Sequence, residues 1–533
     1  MANPETSTTQ HDRPTLESLP SEMLHCILDY MMPEEPEIGE TRPVNYSSLV
    51  PGEDWHSFLS HRRALWSLCL VSRKLASLAQ GRLHKEVVIF TEESLVLFLR
   101  TLEDSSQLVQ DTRSFSCRLT LSRPGVVRDV HRALNMHCDE EMRPLVDKSD
   151  DFRTYHELDR PEGHDRTPEA IVSYILLRLP RLETLLLQTP ICDDHPDYGV
   201  LVHDLVYYRG QSGLTMLDPP ETPFKHLKTL KLQGDPELGK YFEEESEDPP
   251  ECWGVDPLHY MPLFWISSKL TTLEVSCDDG SWSFGNYEVR GSEHLGSLRH
   301  IYLHDSLTLP LKLGFILQHT HQLETLYMTP RDDPEEDDHH WEHMEHLNIK
   351  EGHDQSLDAA LGKYGMNLRH LDIGWLDVPG HGALIGPNAR LPSLTKLAKL
   401  EKLAIQLVVL YGRQVADPQL TLAGLLPPNL VELVLEDWWF TDVDDYEDQD
   451  HWGAEDRVSH YRRKRDYRTN ALSTLLLFAE ESITRQPKLE KLLLLCPIQW
   501  TWIAEEGISP DFPFEEVKQA FQRRGVEFIV DEA

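Results

Sequence analysis

The chain has 533 residues, of which 40% are hydrophobic and 26% charged. That is enough apolar side chain for a sizeable core, and length enough for about three domains or one repeat array with a small module attached. Its 90 Asp+Glu outweigh 51 Lys+Arg, a net charge of −39. Such a field repels phosphate backbones and anionic lipid, which argues against nucleic-acid or membrane-surface binding.

No run reaches the roughly 18–20 apolar residues of a membrane span, and Met1–Gln10 is polar, without the apolar centre of a secretory leader. Eight scattered cysteines form no C-x-x-C pair, so neither a disulfide framework nor a zinc knuckle is indicated. A soluble, reduced, cytoplasmic or nuclear protein is the expectation.

In chain order, residues 1–14 read as a solvated tail. Met23, Leu24, Ile27, Leu28 and Met31 fall at helical spacing. Ser21 is the expected N-cap, and Pro33 and Pro36 are the expected stop. A polar, proline-bearing insertion over about 32–60 follows. Helical periodicity returns over residues 61–79, where Leu65, Leu68, Leu75 and Leu78 share a face beside Val71, and Gly81 is the expected end.

From about residue 115 the pattern becomes repetitive. The hexad L-x-x-L-x-L, with Ile, Val or Met allowed, occurs nine times, beginning at Leu182, Leu227, Leu270, Leu298, Leu323, Leu368, Leu400, Leu430 and Leu489. Its last three residues alternate as a strand with one buried face. The middle leucines lie 45, 43, 28, 25, 45, 32, 30 and 59 residues apart. The shorter intervals suit a repeat of about 20–29 residues, and the longer ones contain insertions. Helical stretches at Thr167–Arg178, Leu472–Ile483 and Phe514–Arg524 precede strands, the last ending at Gly525 before Val526–Val530. Helix alternating with strand predicts an α/β chain whose parallel sheet is coiled into a solenoid. The competing reading is an unrelated α/β domain with ordinary amphipathic strands.

The segments Leu19–Tyr30 and Ala64–Ala79 together resemble an F-box. The opening L-P-x-E at Leu19–Glu22, the apolar helix, and the later L-V-S-R-x-x-x-x-L-A at Leu70–Ala79 carry the likeness. Leu83–Ile89 is similar to the exit segment of fungal members. With the repeats over 91–533, the chain resembles the fungal type of F-box/leucine-rich-repeat protein. The resemblance implies a small N-terminal all-α F-box over 15–90 and an irregular leucine-rich-repeat solenoid, with acidic insertions near 235–255, 331–347 and 436–466. It implies a substrate receptor of a Skp–cullin–F-box ubiquitin ligase, whose repeats hold the protein to be ubiquitinated. By that likeness Leu19, Pro20, Glu22, Leu24, Ile27, Leu28, Leu65, Leu68, Val71 and Leu75 dock the Skp-type adaptor or support the docking positions. The asparagine that usually follows each repeat strand is missing; Asp235, Asp278 and Ser306 stand there in three units, so an unbroken asparagine ladder is not expected.

On a helix, His339, His343 and His346 share one face, a spacing open to a metal. No H-E-x-x-H accompanies them, and eight carboxylates between Asp332 and Glu345 fit a solvated loop better. A second acidic stretch, Glu436–Asp456, carries ten carboxylates and precedes Arg462–Arg465. That basic run fits a nuclear import signal or a counter-charge to the acids before it. Trp438 and Trp439 are candidates for a ligand anchor or for core packing. Catalytic motifs such as G-x-S-x-G and G-x-x-x-x-G-K-[ST] are missing. No catalytic residue, cofactor or metal is expected. A repeat scaffold without a ligase link is the alternative function, followed by a metal-dependent enzyme.

Overall fold

All nine hexads are strands, and they are consecutive neighbours in one sheet. The computed structural model describes residues 16, 19–31, 53–104, 106–119, 124–137, 167–188, 224–234, 255, 257–260, 263–264, 267–278, 292–306, 308, 310–330, 356–373, 390–406, 409–410, 421–436, 473–496 and 514–532. The histidine cluster at 339–346, Trp438, Trp439, Arg462–Arg465 and Asp235 lie outside them.

Three helices open the chain: α1 (Ser21–Tyr30), α2 (Glu53–Val71) and α3 (Arg73–Lys85). The first strand, β1 (Glu86–Ile89), leads to α4 (Glu92–Asp104), α5 (Ser106–Asp111), β2 (Ser114–Cys117), α6 (Pro124–His137) and α7 (Thr167–Leu177). The hexads supply β3 (Thr184–Gln188), β4 (Thr229–Gln233), β5 (Thr272–Ser276), β6 (His300–Ser306) and β7 (Thr325–Pro330). They continue with β8 (His370–Ile373), β9 (Lys402–Gln406), β10 (Glu432–Glu436) and β11 (Lys491–Cys496). Helices α8 (Pro310–His319) and α9 (Leu357–Tyr364) precede β7 and β8; a helix over 473–485 precedes β11, and one over Phe514–Gln522 precedes β12 (Glu527–Glu532).

The architecture is α/β: one open sheet of 12 strands, all parallel, in the order of the chain. Parallel neighbours need crossovers, and the intervals between hexads supply them. The order is compatible with a solenoid, in which each unit meets only the units beside it.

Register follows from the hexad. The middle leucine of each unit pairs with its counterpart next door, Leu185 with Leu230, Leu230 with Leu273, and Leu433 with Leu492. The last apolar residue does the same, as in Leu187 with Leu232 and Leu435 with Leu494. Both rows point inward, and Leu232, Leu303 and Leu435 are fully buried. Against them pack Leu95 and Leu99 of α4, Val130 of α6, Ile171 and Ile175 of α7, Ile316 of α8, Leu361 of α9 and Phe521 before β12. One continuous core results.

Hydrogen bonds tie the start of each strand to the next unit. The Lys228 and Thr229 amides both donate to the Glu183 carbonyl, at 2.8 and 3.1 Å. The same fork runs from Thr271 and Thr272 to Lys228, from Glu324 and Thr325 to Arg299, and from Glu490 and Lys491 to Val431. At several of these positions neighbouring side chains are opposite in charge. Glu183 pairs with Lys228 at 2.5 Å, Glu324 with Arg299 at 3.1 Å, and Arg369 with Glu401 at 3.4 Å. Where the usual asparagine is missing, Asp278 is fully buried and accepts from the Thr308 hydroxyl at 2.9 Å, while the Ser306 hydroxyl accepts from the Thr308 amide.

Several local expectations need correction. The periodicity over 61–79 belongs to two helices, because Ser72 is extended and its hydroxyl accepts from the Leu75 amide as the N-cap of α3. Gly81 lies inside α3, with no atom close enough to obstruct a side chain there, so it ends nothing. The inserted segment is shorter than 32–60, since α2 begins at Glu53. Ser21 is the first helical residue and Pro20 the cap, with no side-chain bond. Gly525 does stop its helix, at φ 74°, the left-handed conformation glycine adopts without strain.

Candidate functional site

Two surfaces gather side chains that the core does not use. The first lies on α1–α3. Leu24 and Leu28, one turn apart on α1, are buried, as are Leu65 of α2 and Leu75 and Ala79 of α3. Leu28, Leu65 and Ala79 form a small core separate from the main one, flanked by Met31, Leu68, Cys69, Leu78 and Leu83. Arg82 fastens α3 to α1 through Asp29 at 2.6 Å, and Lys74 donates to the Leu19 carbonyl at 3.0 Å. Arg62 donates to the Leu83 carbonyl at 3.3 Å, tying α2 to the end of α3.

Both α1 and α2 also turn apolar side chains to solvent. Met23, Ile27 and Tyr30 of α1 are exposed at helical spacing. On α2, Trp66, Leu70 and Val71 are 59%, 69% and 65% exposed. Isolated exposed hydrophobics are ordinary, but here three stand on each of two helices, which makes them candidates for a contact. The ten positions named from the sequence therefore divide. Pro20, Glu22, Ile27 and Val71 are exposed, and Leu19 and Leu68 are partly buried. Leu24, Leu28, Leu65 and Leu75 belong to the interior and can only support a contact. Trp66 and Leu70 stand outside those ten positions because the helical spacing of Leu65, Leu68, Leu75 and Leu78 marks the face that packs inward.

The second surface is the outer face of the sheet. Strand alternation turns the residue between each pair of buried leucines outward. In β3 and β9–β11 that residue is Leu186, Ala404, Val434 and Leu493; in the five strands between, it is Lys231, Glu274, Tyr302, Tyr327 and Asp372. Register places each beside the next. Lys231 pairs with Glu274 at 3.0 Å, both nearly buried, and His304, two residues beyond Tyr302, comes within 4.0 Å of the same carboxylate. The His304 and Tyr327 rings are 5.2 Å apart, and those of Tyr302 and Tyr327 are 6.2 Å apart.

Burial, with Lys231 adding to it, lowers the His304 imidazole to about 4, so it is neutral near pH 7. Burial alone raises the Asp372 carboxyl to about 7. No cation or hydrogen-bond donor among the described residues offsets that cost. Diagonal to Asp372 on the next strand is Gln406, fully buried, with neither its amide oxygen nor its amide nitrogen bonded. None of these residues was singled out from the sequence, although Lys231, Glu274, Tyr302, Tyr327 and Asp372 occupy the last variable position of their hexads and His304 and Gln406 directly follow theirs.

Among the described residues no helix is long and apolar enough to cross a membrane, and no group of three or more His, Cys, Asp or Glu side chains is placed to hold a metal. Neither a protein-family model nor a curated protein matches the chain.

Proposed function

We propose that this chain is the substrate-recognition subunit of a Skp–cullin–F-box ubiquitin ligase, a non-enzymatic adaptor. Residues 15–90 form the F-box and dock the Skp-type adaptor; the leucine-rich-repeat solenoid that follows holds the protein to be ubiquitinated. The observation that carries the reading is the set of solvent-facing apolar side chains on α1 and on α2, helices whose other side chains already fill a core of their own. Exposed side chains of this kind stay in an ordinary surface only at a cost in solubility, and a partner helix or groove removes them from water. The in-register hexads support the repeat half.

Burying one large aliphatic side chain contributes about 1.5–3 kcal/mol. Replacing Leu70 and Val71 together by Asp therefore weakens adaptor binding by about 3 kcal/mol or more, over a hundredfold in affinity. The test is capture of the full chain by a recombinant Skp-type adaptor, with circular dichroism of both proteins. Expected is binding by the wild type and its loss in the folded double variant. A wild type that is not captured, or a variant captured equally well, sinks the ligase reading and leaves a repeat scaffold in its place.

A further inference from the structure

The two ends of the sheet are finished differently. At its start the helical module covers β1: Arg62 of α2 donates to the Glu86 carbonyl, which strand alternation turns away from β2. A repeat array needs such a cap where its neighbours stop. At the other end β12 has one neighbour in the sheet, β11. The Glu527 amide donates to the Glu490 carbonyl at 2.8 Å, so alternation gives Glu527 and Ile529 to β11. The amides and carbonyls of Phe528 and Val530 then point along the outer edge, where no group among the described residues bonds to them. The apolar row is less covered here as well. Val530 stands in register with Leu494, and through it with Leu435; both leucines are buried, whereas Val530 is only partly so. Ile529, on the outer face, is also partly exposed. Charge has a direction too. At the first strand position Lys402, Glu432 and Lys491 alternate across β9–β11, with Glu432 lying 3.0 Å from each lysine. Glu527 is next in register and is exposed, so the position beyond it is suited to a cation.

We propose that the edge of β12 takes an extended segment of a partner protein as an added strand, one that alternates apolar with basic residues. Strand addition draws its affinity from main-chain hydrogen bonds and its specificity from alternate side chains. Phe528 and Val530 each offer one donor and one acceptor along the edge. Residues of the segment opposite them point inward, where apolar side chains cover Val530 and prolong the buried row. Residues opposite Glu527 and Ile529 point outward, and a lysine or arginine beside Glu527 continues the alternation of charge. A second copy of this chain is the poorer occupant. Two β12 strands paired antiparallel about Ile529 set Glu527 of each opposite Asp531 of the other, and like charges directly opposite are destabilising. The net charge of −39 adds repulsion between copies and favours encounter with basic segments. This goes beyond the ligase reading and does not rest on it.

The probe is a fluorescein-labelled peptide of alternating valine and lysine, titrated into the full-length chain at about 0.15 M sodium chloride, where long-range attraction is largely screened. Expected in fluorescence anisotropy is saturable binding, weakened about tenfold or more when alternate peptide amides are N-methylated, which keeps every charge and removes donors. A scrambled peptide of the same composition, and one alternating valine with glutamate, should bind as weakly. Val530→Pro deletes an edge amide that makes no bond to β11, at a kind of position where strands tolerate proline. It should weaken binding about tenfold with circular dichroism unchanged. Should that variant disturb the strand, Glu527→Lys, at an exposed position, decides: its preference should pass from the valine–lysine to the valine–glutamate peptide. Hydrogen exchange should slow in β12 on adding the peptide and stay unchanged in β3–β6. No binding by the wild type would mean that the acids of β12 only guard its edge, and would overturn the proposal. So would equal affinity for the N-methylated peptide, an unaltered preference in Glu527→Lys, or protection away from β12. A dimer of the chain alone, seen in sedimentation and dissociated by Val530→Pro, would give the edge to a second copy and overturn it equally.

Discussion

Asp372 and His304 have opposite effects on stability as pH changes. For Asp372 the folded value, about 7, lies above the ordinary 3.8. Between these values the unfolded chain has lost its proton while the folded one keeps it, so stability falls as pH rises from about 4 to about 7 and is flat beyond. Replacing Asp372 by Asn removes this loss, so the variant's melting temperature should exceed wild type at pH 8 by more than it does at pH 4.5. For His304 the folded value, about 4, lies below 6.5, so its contribution is lost as pH falls through that window. His304→Asn should flatten the acid side of a melting-temperature profile, and an unchanged acid limb would refute the assignment. Buried aliphatic positions follow cavity arithmetic instead. Leu303 is fully buried at the centre of the sheet, and Leu303→Ala should cost about 2–5 kcal/mol in denaturant unfolding followed across that region.

The strands could be read from sequence because the hexad states their physics twice: the alternation defines a strand, and the upstream leucine marks the turn that enters it. Leu182, Leu227 and Leu270 are all fully buried where that reading puts them. β2 was hidden because Thr112, Phe115 and Cys117 stand where the hexad has its three leucines, yet it pairs in the same register. The break between α2 and α3 was hidden for another reason. One hydroxyl at Ser72 outweighs a periodicity that runs on through both helices. The outer-face residues were invisible because a repeat pattern specifies what it buries and leaves the rest to vary. The terminal unit offers a test of how independent such elements are. Phe521 is fully buried between Phe478 and Phe528, with ring centroids 5.8 and 5.6 Å away. Phe521→Ala should cost about 3–5 kcal/mol. Because units contact only their neighbours, hydrogen exchange should accelerate in β12 and β11 and stay unchanged in β3–β6. Uniform acceleration across the sheet would mean that the array unfolds as one cooperative body.

At the scale of the whole molecule two electrostatic terms compete, and magnitudes decide between them. The alternating pairs at the strand starts, such as Glu183 with Lys228 and Lys402 with Glu432 at 3.0 Å, are attractive but partly exposed. Pairs of that kind contribute about 0–1 kcal/mol each. Against them stands the net charge of −39, to which the stretches 332–345 and 436–456 contribute eighteen carboxylates without one Lys or Arg. A charge of that size destabilises a folded chain through self-repulsion. The pairs act over a few ångströms and are screened only in part, whereas the repulsion acts over many residues and is cut strongly once the screening length falls below about 10 Å, near 0.1 M salt. The repulsive term should therefore lose more on adding salt than the pairs do. The melting temperature should rise as sodium chloride is raised from about 10 mM to about 300 mM, with most of the gain below about 0.1 M. Replacing Glu183 by Gln should leave the slope of that rise nearly unchanged, since it removes one pair and only one of the excess charges. Neutralising several acids within 332–345 should flatten the slope, because each change removes repulsion without breaking a described pair. A melting temperature that falls with salt would show instead that the ladder of pairs, and not the excess negative charge, dominates the electrostatics of the fold.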